Sequence, residues 1–165
     1  MNVVRIQEPI NGLLFYLLHL MRKLPFMKRH EALVPLSKEH HDGLILAQLL
    51  KSSVPDYKGL PAEPVEKAKY AINVFHAVLK PHFLKEEELL QKIKTNNKEI
   101  KDISGEIFEE HKELESSFLS LNSSFNLVEA LDSLGKKMEQ HIRKEERQLF
   151  PLLQEHCPDQ LAALL

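Results

Sequence analysis

Length, composition and charge describe an ordinary globular chain. It has 165 residues, 43% of them apolar and 28% charged, with a formal net charge of −2. One domain with a hydrophobic core is therefore expected, without a basic tail for nucleic acid. The single cysteine, Cys157, excludes a disulfide framework and any multi-cysteine zinc or iron–sulfur site, and it fits a cytoplasmic location. The nine histidines are the outlier, because several stand beside glutamates.

The N-terminal segment is strongly apolar between Leu13 and Met21 (LLFYLLHLM). This run is too short to span a bilayer, which needs about 20 apolar residues, and it lacks the small-residue cleavage site of a secretory signal. We expect residues 1–34 to form an apolar helical extension that packs on the domain or joins two copies as a homodimer. A peripheral membrane role and a biological start at Met27 stay open as alternatives.

The remaining chain predicts four helices and no sheet. The segments after residue 64 are long and amphipathic, and no run of alternating β-branched residues interrupts them. Pro81 and Pro151 should kink the second and fourth helices or remove a hydrogen bond. Short connections predict an all-α, up-down-up-down antiparallel four-helix bundle at 35–156, followed by a C-terminal tail at 157–165. The helices are expected at about 38–52, with Ser37 as N-cap, and at about 64–95, 98–121 and 126–156.

Two short strings repeat one polar pattern. HFLKEEELL begins at His82 and HIRKEERQLF begins at His141, and both read His-x-x-Lys-Glu-Glu. Because side chains three or four residues apart share a helix face, His82 lies beside Glu86 and His141 lies beside Glu145. The third helix pairs a histidine with a glutamate in the same way, and the first helix has a histidine with Leu44 in the glutamate's place. The pair on the third helix is His111 with Glu115, and the histidine on the first helix is His40.

The polar pairs interrupt stripes that are otherwise apolar. On helix 2 the predicted inward stripe is Ala68, Ile72, Phe75, Leu79, His82, Glu86, Leu89 and Ile93. On helix 3 it is Ile100, Phe108, His111, Glu115, Phe118 and Leu121. On helix 4 it is Leu131, Leu134, Met138, His141, Glu145, Leu149 and Leu152.

These polar residues fall at similar heights, so four histidines and three glutamates should meet inside the bundle. Neighbouring buried carboxylates cost free energy unless a cation neutralises them. A lone histidine on an apolar stripe is more often a hydrogen-bonded core residue, but four interrupted stripes at one level favour a shared metal centre. Nitrogen and oxygen ligands without sulfur suit a pair of iron ions, and manganese suits the same ligands. The predicted ligands are His40, His82, Glu86, His111, Glu115, His141 and Glu145.

Four stretches, LSKEHHDGLILAQLL, HFLKEEELL, EEHKELE and HIRKEERQLFPLL, resemble the hemerythrin-like, or HHE cation-binding, family. The resemblance covers about Leu36 to Leu153. It implies one ligand from helix 1, a first ligand from helix 3, and a His–Glu pair from each of helices 2 and 4, with both glutamates bridging two iron ions. The ligands that it implies are His40, His82, Glu86, His111, His141 and Glu145.

The chain departs from the oxygen-carrying members of that family at two positions. Those carriers have a second histidine on helix 3, where this chain has Glu115. They also have an aspartate five residues after the helix-4 histidine, where this chain has Glu146. We prefer Glu145 as the ligand because it lies on the apolar stripe, and Glu146 stays open as its alternative. On helix 1, His41 stays open as the alternative to His40.

The predicted ligand set leaves room for a small molecule. Two bridging carboxylates, five terminal ligands and an oxo or hydroxo bridge would fill all but one position of two octahedra. That position would admit dioxygen, peroxide or nitric oxide. Because Glu115 adds negative charge that stabilises ferric iron, we expect a non-haem di-iron protein that senses or handles oxygen, nitric oxide or iron rather than transporting oxygen. The alternatives are a weak redox enzyme, either peroxidase-like or active in iron–sulfur cluster repair, and a purely structural bundle.

Overall fold

The computed structural model describes residues 28–165, which are all-helical and contain no strand, as the sequence predicted. Four long helices and one short helix make up this part of the chain. The apolar run of the predicted N-terminal extension, its homodimer contact and the alternative start at Met27 lie outside the described residues. No helix within 28–165 combines the length and apolar character needed to cross a membrane.

The helices are numbered in chain order. Helix α1 spans Val34–Leu50, helix α2 spans 64–92, helix α3 spans Lys98–Ser120, helix α4 spans 127–156 and helix α5 spans Pro158–Ala162. Short 3-10 turns precede α1 and follow α3. The bounds of α2, α3 and α4 lie within a few residues of the predicted ones.

Local side chains account for the helix starts. The Asn97 side chain accepts a hydrogen bond from the backbone N–H of Ile100 at 3.2 Å, and Asn126 caps α4 in the same way. Helix α1 begins before the predicted N-cap Ser37, so that boundary was wrong. The reason is that Pro35 suits a first helical turn, where its missing N–H has no partner to lose.

Helices α2 and α4 each contain one π-helical turn shortly before a proline. The turn in α2 is Phe75–Leu79, and Pro81 follows it. The turn in α4 is Glu145–Leu149, and Pro151 follows it. A π turn closes its hydrogen bonds over one more residue than an α turn, and proline lacks the N–H of a normal helical bond. The interruptions predicted at these prolines therefore take the form of π turns.

The π turns change which residues face the core. Ile72 was predicted to face inward, but it is half-buried and Ala71 is fully buried. Leu152 was predicted to face inward, but it is half-buried and Leu153 is fully buried. A π turn contains one more residue than an α turn. The buried residues next to each π turn are therefore spaced four apart, as in Ala71, Phe75 and Leu79. Ile72 and Leu152 still pack against the core from the edge of the buried face, so the centre of each predicted stripe was displaced by one residue.

The core consists of two apolar clusters with a polar layer between them. One cluster includes Phe75, Phe118 and Met138, and the other includes Ile107 and Leu153. Every long helix crosses from one cluster to the other, and its candidate ligands lie at the crossing. The predicted tail also contributes, because the second cluster includes Cys157 and Leu161.

Candidate metal centre

Six of the seven predicted ligands meet in the polar layer. Each of them is at most 3% exposed, and α1 and α3 each supply one while α2 and α4 each supply two. The apolar stripes bring these side chains inward, because each polar residue continues a row of buried residues on its helix. The six side chains are His40, His82, Glu86, His111, His141 and Glu145.

The contacts within this layer join ring nitrogens to carboxylate oxygens. Within α2, Nε2 of His82 lies 3.3 Å from Oε2 of Glu86, and within α4, Nε2 of His141 lies 3.4 Å from Oε1 of Glu145. Both pairs are four residues apart, as predicted. Between helices, Nε2 of His40 lies 3.2 Å from Glu86 Oε1 and 3.0 Å from Glu145 Oε2. Two donors that are each about 2.1 Å from one ion lie roughly 3.0–3.4 Å apart, so these separations fit shared coordination.

The six side chains form two groups that share one glutamate. Within each group, one ligand atom per residue lies within 4.8 Å of the others. Nε2 of His111 lies 3.5 Å from Glu86 Oε2, whereas Nε2 of His40 lies 3.2 Å from Glu86 Oε1. Glu86 therefore belongs to both groups, each of which could hold a cation. The first group is His40, His82 and Glu86; the second is Glu86, His111, His141 and Glu145.

Several polar atoms of this layer are buried without a partner. A buried polar atom that makes no hydrogen bond costs about 1–3 kcal/mol, and native proteins contain few of them. These atoms converge on one small region, so a bound cation would satisfy them together. Within the described residues, the layer's buried atoms without a hydrogen-bond partner are Glu86 Oε2, His111 Nε2, His141 Nε2 and both carboxylate oxygens of Glu145.

The electrostatics of the layer also favour a cation. Burial lowers the pKa of His40, but the carboxylates of Glu145 and Glu146 outweigh burial and raise that pKa well above its usual range. Burial raises the pKa of Glu86, but the neighbouring imidazoles of His111 and His40 hold it well below its usual range. Glu86 thus stays ionised in a dry environment, which is costly unless positive charge lies beside it, either on a protonated imidazole or on a bound cation.

A second set of glutamates contacts the outer nitrogen of each histidine. Nδ1 of His40 lies 2.7 Å from Glu146, Nδ1 of His82 lies 2.8 Å from Glu39, Nδ1 of His111 lies 2.9 Å from Glu87 and Nδ1 of His141 lies 2.8 Å from Glu110. Burial raises the pKa of Glu110, but bonds from His141 and Lys144 lower it to about 2. Of these four glutamates, only Glu146 was among the candidates that the sequence suggested. Their common position, directly before a candidate histidine or directly after a candidate glutamate, is the signal that could have found them.

The alternatives left open on α1 and α4 differ clearly in position. His40 is buried in the layer, whereas His41 is half-buried and belongs to neither group of candidate ligands. Glu145 is fully buried, whereas Glu146 bonds to the outer side of His40 and to Arg29. The geometry therefore favours His40 and Glu145 as the inner residues.

Glu115 does not reach the layer, so its prediction as a ligand requires correction. Its side chain is 38% exposed and forms an ion pair with Lys80 at 2.7 Å. The buried face of α3 passes through Ile107, His111 and Leu114, and a neighbouring residue is rotated by about 100° from that face. The same error of one residue affects Leu44, which is half-buried while Gly43 is buried.

A small apolar cavity lies against three of the histidines. His40, His82 and His141 form part of its wall, and most of the other lining residues are apolar. Its volume of about 10 Å³ is close to the roughly 10–15 Å³ that one water molecule needs on the same scale. Only a very small molecule fits there. The apolar lining consists of Gly43, Leu79, Phe83, Leu114, Met138 and Ile142.

No protein-family model, curated protein or solved structure matches this chain. The resemblance to the hemerythrin-like family therefore stays a prediction that depends on the quoted motifs. The chemistry of the site has to be inferred from its own residues.

Proposed function

We propose that this chain is a hemerythrin-like, non-haem di-iron protein that senses or handles oxygen, nitric oxide or iron rather than transporting oxygen. The observation that carries the proposal is the convergence of four inward imidazoles on two buried carboxylates, three of whose four oxygens lack a hydrogen-bond partner. A cytoplasmic location, where the thiol of Cys157 stays reduced, is part of the proposal.

The proposal includes an up-down-up-down antiparallel bundle. Contacts between α1 and α4 support it, because His40 faces Glu146 while Lys51, further along α1, pairs with Glu139, which is earlier in α4. The contacts between α2 and α3 follow the same rule, because Glu87 bonds to His111 whereas the earlier Lys80 pairs with the later Glu115.

We propose two ions because the candidate ligands form two groups that share Glu86. Glu145 also reaches both groups, since one oxygen lies 3.0 Å from His40 Nε2 and the other lies 3.4 Å from His141 Nε2. Two imidazoles and two carboxylate oxygens for each ion form a nitrogen and oxygen ligand set that suits iron and also suits manganese. Bound iron would supply a redox-active Lewis acid that binds a small diatomic molecule.

The reason against oxygen transport changes with the position of Glu115. Glu115 lies on the surface, so its charge does not act as a ligand's charge. The four glutamates on the outer histidine nitrogens would instead stabilise ferric iron, because a carboxylate bonded to Nδ1 makes the imidazole a more basic ligand. More basic ligands favour ferric iron, which supports sensing or handling over reversible transport. The cavity's small volume fits a very small ligand and is a poor fit for a larger substrate.

Anaerobic loading with ferrous iron tests the proposal. We expect about two iron ions per chain by elemental analysis and an absorption change on adding air that vacuum does not reverse. His82→Ala should lose iron, whereas His76→Ala, an exposed histidine on the same helix, should keep it.

Three results would contradict the proposal in different ways. Well under one metal ion per chain after iron supplementation would favour a structural bundle. A long-lived absorption change that reverses under vacuum would favour oxygen transport. Turnover of peroxide that is lost in His82→Ala would favour a redox enzyme.

A further inference from the structure

The four outer glutamates connect the helices in a closed cycle. We call Glu39, Glu87, Glu110 and Glu146 the carboxylate ring. Each member lies on one helix and contacts a candidate ligand of the next. Glu39 of α1 contacts His82 of α2, Glu87 of α2 contacts His111 of α3, Glu110 of α3 contacts His141 of α4, and Glu146 of α4 contacts His40 of α1.

Each of these contacts determines what the inner nitrogen of its histidine can do. An ionised carboxylate is only an acceptor, so Nδ1 must carry the proton. In a neutral imidazole, the Nε2 lone pair is then free and points to the inner layer. Rotation of an imidazole about its Cβ–Cγ bond would break its bond to the outer glutamate. The same rotation would turn Nε2 away from the inner carboxylates of Glu86 and Glu145.

Cations on the outside hold three of the four members. Lys85 pairs with Glu39, Lys144 pairs with Glu110, and Arg29 pairs with Glu146. Glu87 has no cationic partner among the described residues and is 31% exposed. A substitution at Glu87 therefore changes the bond to His111 without releasing a lysine or an arginine.

We infer that the carboxylate ring consists of positioning residues, which orient the four histidines as metal ligands and couple metal binding to the packing of adjacent helices. This inference rests on the proposed function. It goes further by assigning a role to four residues outside the candidate ligand set. Partners of this kind typically change metal affinity by about 10–100-fold when they are removed.

Variants of Glu87 test this role against matched variants of its neighbour. Glu88 is exposed and pairs only with Lys92 within α2, so Glu88→Ala and Glu88→Gln control for the loss of a surface charge. With Co²⁺ as the probe, followed by its visible absorption, we expect Glu87→Ala to raise the dissociation constant about 10–100-fold. Glu87→Gln keeps an acceptor oxygen and should lose less. Co²⁺ binding to Glu87→Ala with the wild-type dissociation constant and spectrum would overturn the inference.

A metal-free measurement distinguishes failure of this inference from failure of the proposed function. In the folded protein without metal, proton NMR should show the Nδ1–H of His111 as a signal protected from exchange. That signal should be lost in Glu87→Ala and kept in Glu88→Ala, with equal helicity in both by circular dichroism. If the wild type binds neither Fe²⁺ nor Co²⁺, the proposed function fails. If the Nδ1–H signal of His111 persists unchanged in Glu87→Ala, the positioning role itself is overturned.

Discussion

Glu86 is the residue on which the two halves of the candidate site meet. It is 2% exposed, and its carboxylate contacts Nε2 of His40, His82 and His111. An ionised carboxylate in so dry a place is stable only with positive charge or several donors beside it. A single substitution at Glu86 should therefore affect both of the proposed ions.

Loss of the side-chain charge should lower the iron content at Glu86 but not at Glu115. Glu86→Gln keeps the shape of the side chain but removes the shared charge, so we expect iron content to fall from about two ions per chain to below one. Glu115→Gln removes only a surface ion pair with Lys80, which is worth about 0–1 kcal/mol. It should keep the wild-type iron content, measured on anaerobically loaded protein. Iron loss in Glu115→Gln would restore Glu115 as a ligand and contradict its surface position.

Helices α1 and α4 approach each other closely at Gly135. A Cβ at this position would lie 2.6 Å from the backbone oxygen of Ala47 and 3.2 Å from Leu50 Cβ. Backbone atoms cannot yield as the end of a flexible side chain can, so the two helices would have to separate. The same two helices carry His40 and Glu145, and their spacing therefore affects the metal centre.

Two glycine variants test this close approach. Gly135→Ala should lower the free energy of unfolding by about 1–3 kcal/mol, because overpacking forces backbone shifts. Gly105→Ala is the matched control. Gly105 lies in the middle of α3, and nothing lies within 4 Å of an added Cβ there. This variant should raise stability by about 0.5–1 kcal/mol through helix propensity. Urea unfolding measures both, and equal stability of the two variants would contradict the packing described here.

At the scale of the whole molecule, a polar layer divides the apolar core into two clusters. The layer holds ionised groups and unpartnered atoms at a level that every long helix crosses. Metal-free protein should therefore be less stable than loaded protein, because a metal that binds only the folded state adds to its free energy of unfolding.

Metal removal should lower the melting temperature reversibly. With free metal at 100 times its dissociation constant, the stabilisation is about 2.7 kcal/mol for each of the two proposed sites. For a chain of this size that is roughly 5–10 °C for each site, at about 2–4 °C per kcal/mol. Calorimetry of iron-loaded and chelated protein measures the shift, and His82→Ala, which removes a ligand of one group, should show a smaller one. A wild-type melting temperature that is identical with and without metal would rule out the layer as a metal site.

The sequence by itself determined the helical class, most helix bounds and six polar residues that meet in the core, although it added Glu115 as a seventh. These follow from local chemistry, because apolar periodicity defines a helix face and His–Glu pairs four residues apart share it. The pairs His82 with Glu86 and His141 with Glu145 needed no knowledge of the neighbouring helices.

Only the tertiary structure decided the rotation of each helix and the partners between helices. Leu114 and Glu115 are adjacent, and periodicity cannot separate two residues about 100° apart until neighbouring helices choose the buried one. The π turns are also invisible to a regular pattern, which is why Leu152 was predicted to face inward in place of Leu153. The carboxylate ring depends on which helix lies beside which, so its four bonds could not be derived from local spacing.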